Sequence, residues 1–289
     1  MPEQSYLEHE PSEKTKTRII LEFLRHGEKE KADKPENEIR LTEKGRQKAT
    51  ARGKEIKPQT EAAVGFASLR KRAQETAGRV TLAASESITD TTTLEEMEDL
   101  ISQELKVGKK IVGDNRLDFQ QDRTSPYGQK HLAAFKAGRI MDFMVNESDN
   151  LAKELQDPEA FSYSRIAANI AEILKKYLRV GNNFERIIEK NPDKYSAYSN
   201  QLERYFGTHQ TVGESFIAKL LEDTQGTQAR DQYLKEVGGS GVAELQGFQV
   251  EIVNENGKQT ATIHAKTSEK QWDIPIDEKT LEQIITQRF

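Results

Sequence analysis

The stretch I-I-L-E-F-L-R-H-G-E, residues Ile19–Glu28, decides the fold of this 289-residue chain. Its first part, Ile19–Leu24, is mostly apolar or β-branched, which predicts a strand buried within a sheet. The predicted strand runs directly into Arg25, His26 and Gly27. Ligands of open α/β sheets bind at the carboxyl ends of the strands. Our hypothesis is that His26 is a nucleophile toward the phosphorus atom of a bound ligand.

Composition excludes several classes of function. The net charge of −5 and the pI near 5.7 argue against a general binder of nucleic acid or of anionic membranes. No stretch approaches the roughly 20 apolar residues that span a bilayer, and Met1–Arg18 lacks a hydrophobic signal core, so we expect a cytoplasmic protein. The absence of cysteine excludes disulfides, a cysteine nucleophile and thiolate metal sites. We expect no metal and no cofactor.

The first hundred residues predict an α/β domain. Thr42 is a good N-cap for a helix over Glu43–Ile56, and Ala62–Ala67 reads as a second strand that leads into a helix from Ala73. Two successive strand–polar turn–helix units predict a largely parallel sheet, with the polar turns at one end. Small residues recur every four positions on the first helix, which predicts close packing against the sheet; they are Gly45, Ala49 and Gly53.

The remaining chain predicts a three-layer helix–sheet–helix domain with additions. We divide it into a polar tail at 1–17, the main domain at 18–235 with a helical cap over the site at about 125–190, and an appended β-hairpin and helix at 236–289. Further expected elements are an extended Thr89–Thr93, helices at Leu94–Leu105, Tyr127–Val145 and Ser164–Leu178, a strand at Leu202–Gly207, a capping box of Thr211 and Glu214, a type I′ turn at Asn256-Gly257 and a helix at Asp277–Arg288.

The histidines differ in their expected roles. His209 directly precedes a predicted helix N-terminus, where backbone N–H groups and the helix dipole favour an anion. His131 is expected to be structural, and His264 is expected to face solvent. His9 lies in the polar tail, where we expect no role for it.

Four motifs in a fixed order make the sequence resemble the histidine phosphatase, or phosphoglycerate mutase-like, superfamily over about residues 18–222. They are R-H-G-E at 25–28, L-T-E-K-G-R at 41–46, S-L-R-K-R-A-Q-E-T-A at 68–77 and G-T-H-Q-T at 207–211. The resemblance implies that His26 becomes phosphorylated, that Arg25 and Arg72 bind the transferred phosphoryl group and that His209 is the second histidine of the pocket. It also implies a sheet with helices on both faces.

Elementary chemistry supports these roles. Phosphoryl transfer requires neutralisation of charge on the equatorial oxygens, and arginines supply permanently charged planar forks. A neutral imidazole can attack phosphorus directly if its other ring nitrogen has a partner such as a backbone carbonyl. We also assign Glu28, which would orient the loop, and Ser68 to substrate binding. Arg70 and Lys71 either contact substrate or form a solvated charge run.

The proton donor for the leaving group is ambiguous. Gln210 follows the second histidine, which argues against the branch of the superfamily that has a carboxylate there. Asp118 is the preferred donor, followed by Glu98 and Asp114, and the competing interpretation is that each is a surface acid.

We therefore expect a metal-independent phosphatase that acts on a small phosphorylated molecule. The alternatives are a mutase that uses the same phosphohistidine, and a catalytically weak phosphate sensor or interaction protein whose working surface is the C-terminal hairpin. The sequence does not reveal the substrate. The last 50 or so residues either form an extra edge hairpin or mediate self-association, for example as a homodimer.

Overall fold

The computed structural model describes residues 16–56, 62–105, 110–119, 122–195 and 199–288, so most of the expected polar tail, with His9, lies outside it. The strands are β1 Thr17–Arg25, β2 Val64–Ala67, β3 Val112–Gly113, β4 Gln201–Thr208, β5 Gly247–Glu255, β6 Lys258–Lys266 and β7 Gln271–Pro275. The α-helices are α1 Glu43–Ile56, α2 Lys71–Thr81, α3 Leu94–Glu104, α4 Pro126–Lys136, α5 Ile140–Phe143, α6 Asp149–Glu154, α7 Tyr163–Lys190, α8 Val212–Gln225, α9 Thr227–Val237 and α10 Glu278–Thr286. A 3₁₀ turn covers Asn115–Leu117, and a π-helical turn covers Met144–Ser148.

The strands form one mixed sheet in the order β3-β2-β4-β1-β5-β6-β7. The pairs β3–β2, β2–β4 and β4–β1 are parallel, which confirms the predicted α/β class for this half of the sheet. The pairs from β1 to β7 are antiparallel, so the expectation of a mostly parallel sheet holds only in part. The turns that join β5 to β6 and β6 to β7 are too short for the crossover that parallel neighbours need, so these strands pair antiparallel.

Helices cover both faces of the sheet, as the three-layer prediction requires. Alternate side chains of β1 point to opposite faces. Ile19 and Phe23 pack in the large core that also contains residues of α7, α8 and α10. Leu24 packs on the other face with Val80 of α2, beside Ile56 of α1. No helix within the described ranges is both long and apolar enough to cross a bilayer.

A row of four phenylalanine rings crosses the sheet just before the strand ends. The ring centroids of Phe66 and Phe206 are 5.1 Å apart, those of Phe206 and Phe23 are 4.2 Å apart, and those of Phe23 and Phe248 are 4.6 Å apart. Neighbouring rings sit at paired positions of adjacent strands, where large side chains reach one another. The row therefore helps to fix the register in which the strands deliver the residues that follow.

The small residues of α1 serve a different contact from the one predicted. Gly45, Ala49 and Gly53 are buried. A Cβ atom on Gly45 would lie 2.3 Å from the carbonyl oxygen of Glu28, and one on Gly53 would lie 2.4 Å from the Cβ of Ala83. The stripe thus lets α1 approach the loop after β1 and the end of α2, whereas the sequence predicted packing against the sheet.

Several local predictions are confirmed and others are wrong. The Thr42 hydroxyl accepts a hydrogen bond from the N–H of Gly45 (2.9 Å), as an N-cap should. Asn256 and Gly257 have φ of 56° and 74°, which suits the predicted type I′ turn. Thr89–Thr93 is a turn and not extended, since the N–H of Thr92 donates to the carbonyl of Thr89 (3.2 Å).

Two helix predictions also need correction. The helix expected over Tyr127–Val145 is broken, because Gly138 adopts φ of +68° between α4 and α5. The capping box of Thr211 and Glu214 does not form, because Thr211 has φ of 74° and its side chain makes no cap bond. The Glu214 carboxylate instead accepts a hydrogen bond from the N–H of Val242 at 2.9 Å. β7 and α9 were not predicted, and the hairpin belongs to the central sheet.

Candidate active site

Three parallel strands end side by side and deliver the predicted site residues. Arg25 pairs with Thr208 across β1 and β4, so His26 and His209 leave the sheet together. Ala67 pairs with Gly207 across β2 and β4, which places Ser68 beside them. The N–H of His26 donates to the carbonyl of Thr208 (2.9 Å), and the N–H of Ser68 donates to that of Gly207 (3.3 Å). The structure therefore brings the two histidines and Ser68 together at one edge of the sheet.

A close approach of helix and strand places Arg72 next to His26. A Cβ atom on Gly207 would lie 2.1 Å from the carbonyl oxygen of Ala73, so only glycine lets the first turn of α2 lie against β4. Arg72 lies in that turn, and its side chain is almost fully buried. Its Nε–H donates to Nε2 of His26 over 3.2 Å. Burial lowers the pKa of Arg72 to about 10, with a further contribution from Arg70.

His26 has the hydrogen-bonding pattern of a nucleophilic imidazole. Its Nδ1 lies 2.7 Å from the carbonyl oxygen of Gly27, and because that oxygen can only accept, Nδ1 carries the proton. The lone pair therefore resides on Nε2, which faces Arg72. Burial lowers the pKa of His26 to about 3, and the charge of Arg72 adds to the effect. The ring is neutral at physiological pH.

His209 completes the pair of rings. Its centroid lies 5.2 Å from that of His26, with 65° between the planes. Its Nε2 lies 2.6 Å from the hydroxyl of Ser68, and its Nδ1 is buried without a hydrogen-bond partner among the described residues. Burial lowers its pKa well below the usual range, and the proximity of His26 lowers it further. Both rings are thus kept neutral.

Arg25 and Glu28 lie on either side of the His26-Gly27 turn. Arg25 lines the cavity described below, while its Nη1 donates to the carbonyl of Val242 (2.6 Å). Glu28 does not line that cavity: its carboxylate lies 3.9 Å from Nζ of Lys44, and its carbonyl accepts the N–H of Thr42 (2.9 Å). The backbone of Glu28 thus anchors the loop, and its side chain points away from the other site residues.

The three candidate proton donors lie outside the cavity lining. Asp118 is buried, and its Oδ1 lies 2.7 Å from Nε of Arg70, 2.7 Å from the backbone N of Phe119 and 3.7 Å from Nε2 of His209. Asp114 is bound to the guanidinium of Arg116 at 2.7 Å, and Glu98 lies on α3. Asp118 alone of the three is therefore close to the histidines.

The structure shows a charged cluster that the sequence did not predict, which we call the Glu36 cluster. The Glu36 carboxylate lies 2.7 Å from Arg123, 3.1 Å from Arg72, 3.3 Å from Arg70 and 3.5 Å from Lys29. Burial alone would raise the pKa of Glu36, but Lys29, Arg123 and Arg72 together lower it to about 2. The loop Lys29–Arg40 is highly charged, so its sequence gave no indication that one of its acids turns inward.

A cavity of about 360 Å³ opens in front of His26. One wall carries the charged groups of the Glu36 cluster, together with Arg25 and Glu244. The apolar lining residues, which we call the apolar wall, are Phe119, Leu132, Phe135 and Ile140; Leu132 and Phe135 belong to α4, and the Phe119 ring centroid lies 4.4 Å from Cζ of Arg70. His131 also lines the cavity, with its ring centroid 5.9 Å from that of Phe143, and burial lowers its pKa to about 4. The helical cap expected at about 125–190 would include α7, but α7 packs in the large core against the sheet.

Potential metal ligands do not converge at this site. Within the described ranges, no group of three or more histidine, aspartate or glutamate side chains is arranged to hold a metal ion.

Comparison with known proteins identifies a family. Residues 21–133 match the model of the histidine phosphatase superfamily (branch 1). This confirms the resemblance that the motifs had indicated over that part of the chain. None of the curated protein sequences is similar enough to the chain to count as a match.

Several solved structures are similar to this one at low sequence identity. A mycobacterial glucosyl-3-phosphoglycerate phosphatase is 15% identical with a TM-score of 0.38, and the alignment covers 83% of this chain and 91% of that one. The protein YhfR of Bacillus stearothermophilus is 18% identical with a TM-score of 0.40, covering 87% and 96%. A structure described as mycobacterial hydrolase 1 is 14% identical with a TM-score of 0.41, covering 91% and 98%.

Proposed function

We propose that the chain is a phosphatase of the histidine phosphatase superfamily, whose model residues 21–133 match, and that it hydrolyses a small phosphomonoester without a metal ion. The observation that carries the proposal is the state of His26. Its Nδ1–H is held by the Gly27 carbonyl at 2.7 Å, so the lone pair lies on Nε2, which accepts the Nε–H of Arg72 at 3.2 Å, and His26 lines the cavity. That is the arrangement a neutral nitrogen nucleophile requires.

The reaction would run in two displacements. Nε2 of His26 attacks phosphorus, the bond to the leaving oxygen breaks, and a phosphohistidine forms. Water then attacks the phosphohistidine in line, which releases inorganic phosphate and restores the imidazole lone pair. Arg72 would contact the phosphoryl group in both steps, since its Nε lies at Nε2 of His26. Its Nη1 and Nη2 contact Glu36 at 2.7 and 3.1 Å, so binding a second equatorial oxygen would exchange one of these contacts for the ligand.

Arg25 and His209 would complete the phosphoryl site. Arg25 lines the cavity next to His26 and supplies a second permanent positive charge. His209 and Ser68 do not themselves line the cavity; His209 would act next to His26, whose ring centroid is 5.2 Å away, and the Ser68 hydroxyl holds its Nε2 at 2.6 Å. Buried dipoles and charges of this kind stabilise a transition state strongly because they need not reorganise during the reaction.

We assign Asp118 a positioning role in place of the proton donation predicted from the sequence. It holds Nε of Arg70 at 2.7 Å and stays outside the cavity lining. The carboxylates among the described lining residues are Glu36 and Glu244. Since the pKa of Glu36 is lowered to about 2, that group is ionised and is a poor acid. Glu244 and solvent are therefore the proton sources we propose for the leaving oxygen.

Hydrolysis is favoured over transfer within one ligand because the cavity is open to water. Side chains at its rim are largely exposed, with Arg123 at 57% and Lys29 at 41%. A mutase must keep water away from its phosphohistidine, which would otherwise be hydrolysed. An exposed rim on the charged wall does not provide that exclusion.

The proposal is tested by incubating the purified chain with p-nitrophenyl phosphate in the presence of EDTA. We expect turnover that vanadate inhibits and that His26→Ala abolishes. Lys44→Ala is the control, because that residue contacts Glu28 outside the cavity. Metal-dependent turnover, or turnover retained by His26→Ala, would refute the proposal. Phosphoryl exchange within one ligand without phosphate release would identify a mutase, and phosphate binding without turnover would identify a sensor.

A further inference from the structure

The two walls of the cavity differ in a way that bears on the substrate of the proposed phosphatase. We propose, resting on that function, that the site selects phosphomonoesters whose leaving group is apolar and carries no second negative charge, and that Glu36 is the residue that excludes a second charge. Glu36 offsets the positive charge of Lys29, Arg70 and Arg123, and α4 contributes apolar side chains to the cavity.

The first argument is that the cations already bind a carboxylate of the protein itself, that of Glu36. Lys29, Arg70 and Arg123 converge on Glu36 within 3.5 Å. Without Glu36, this group would suit a carboxylate or a second phosphate on the substrate, since guanidinium groups bind such anions through paired hydrogen bonds. With Glu36 in place, a second anion on the ligand would meet a negative charge instead. Repulsion of the wrong ligand is a common source of specificity.

The second argument is the charge balance of the described residues. The lining carries five cations and two carboxylates: Arg25, Lys29, Arg70, Arg72, Arg123, Glu36 and Glu244. Arg70 is also paired with buried Asp118, and buried Glu214 lies near Arg25, so about one positive charge remains uncompensated. A single phosphomonoester more than neutralises that excess, because a phosphate group carries a charge of about −1.5 to −2 near neutral pH.

The third argument is the apolar wall. Phe119, Leu132, Phe135 and Ile140 face the cavity, and Phe135 is 50% exposed although it is one of the largest apolar side chains. His131 adds a ring that is uncharged, since burial lowers its pKa to about 4. Small-molecule sites are typically apolar surfaces with a few convergent polar groups. An alkyl or aryl leaving group would cover Leu132 and Phe135 while its phosphate lies at His26.

The test compares substrates that share the same kind of leaving oxygen. They are n-butyl phosphate, methyl phosphate, and the analogue of n-butyl phosphate in which the terminal methyl group is a carboxylate. We expect the wild-type chain to have a kcat/KM for n-butyl phosphate at least about tenfold above that for the carboxylate analogue. Glu36→Gln should lower this ratio by about tenfold, because it frees charged donors for the analogue.

Matched control variants test the contributions of the charged and the apolar lining residues separately. Glu38→Gln removes the same charge from the same loop, but Glu38 contacts Lys71 and does not line the cavity, so the ratio should not change. Phe135→Ser should lower the ratio of n-butyl to methyl phosphate by about tenfold. Leu155→Ser, at another exposed apolar side chain away from the cavity, should leave it unchanged.

The outcomes distinguish this inference from the proposed function. If no substrate shows His26-dependent turnover, the phosphatase proposal itself fails. If turnover depends on His26 but the carboxylate analogue is hydrolysed as well as n-butyl phosphate, the inference is wrong. It is equally wrong if Glu36→Gln, with circular dichroism and Tm like those of Glu38→Gln, leaves the ratio unchanged.

Discussion

Nε of Arg72 lies 3.2 Å from Nε2 of His26, although the two residues stand 46 positions apart in the sequence. A permanent cation thus donates a hydrogen bond to the nitrogen that we propose as nucleophile. The contact makes a second proton on that nitrogen unfavourable, and the Arg72 N–H has to shift from Nε2 to a phosphoryl oxygen when the lone pair attacks. It also places a guanidinium where the phosphoryl oxygens would arrive.

The first prediction concerns the protonation of the buried histidines. The pKa of His26 is lowered to about 3 and that of His131 to about 4, so both should remain neutral at pH 5.5. Histidine ¹⁵N NMR of the free protein, with the His26 signal assigned from His26→Asn, measures this directly. An Nε2 signal of His26 that titrates near pH 6.5 would contradict it.

The lowered pKa of His26 also affects the stability of the fold, which gives a second prediction. In the unfolded chain His26 binds a proton below about pH 6.5, whereas in the folded chain it stays neutral down to about pH 3. The unfolded state therefore binds more protons in this window, and the free energy of unfolding should decrease as the pH falls through it. In urea titrations, His26→Asn should lose less stability than the wild type between pH 6.5 and pH 4. An equal loss in both would contradict the prediction.

Arg72→Ala should reduce kcat/KM by about 10²- to 10³-fold, the usual effect of removing one preorganised donor to a transition state. Arg72→Lys should recover only part of the loss, because lysine keeps the charge but not the planar fork. Steady-state kinetics with p-nitrophenyl phosphate provides the measurement. Turnover unchanged in Arg72→Ala would show that this residue does not bind the phosphoryl group.

Gly45→Ala tests the packing of α1. Helix propensity alone would make this change stabilising by about 1 kcal/mol. A Cβ atom there would lie 2.3 Å from the carbonyl oxygen of Glu28, so we expect a net destabilisation of about 1–3 kcal/mol instead. Urea unfolding gives the sign. A more stable variant would mean that α1 does not approach the loop after β1 so closely.

Asp118→Asn distinguishes positioning from proton donation. Because Asp118 and Arg70 are both buried, loss of the negative charge should destabilise the fold by roughly 3 kcal/mol. Asp114→Asn, which acts on a more exposed ion pair, should cost less than about 1 kcal/mol. The pH profile of kcat should keep its shape in Asp118→Asn, and loss of its alkaline limb would restore Asp118 as the donor.

The sequence predicted the part of the site that follows from strand ends. An apolar run into R-H-G and another into T-H-Q were sufficient, because parallel strands place such residues at one edge. Antiparallel pairing of the C-terminal strands with β1 was missed because it depends on a contact between Thr17–Leu24 and Gly247–Asn254, far apart in sequence. Alternation of apolar residues predicts a strand but not its neighbour.

The Glu36 cluster could not be predicted for a related reason. Lys29–Arg40 has the composition of a solvated loop, and four of its eight charged residues are exposed. One acid turns inward because Arg70, Arg72 and Arg123 are brought there by α2 and by the segment before α4. The sequence favours Asp118 as the donor, but its partner Arg70 becomes apparent only in three dimensions.

The most direct test of the proposal is to trap the phosphorylated enzyme. A ³²P-labelled phosphomonoester is mixed with the wild-type chain, quenched in alkali within milliseconds, and the labelled peptide is identified. We predict an acid-labile, alkali-stable phosphoryl group on Nε2 of His26, since Nδ1 is engaged by the Gly27 carbonyl. Label on another residue, or continued turnover with no label at His26, would contradict the mechanism.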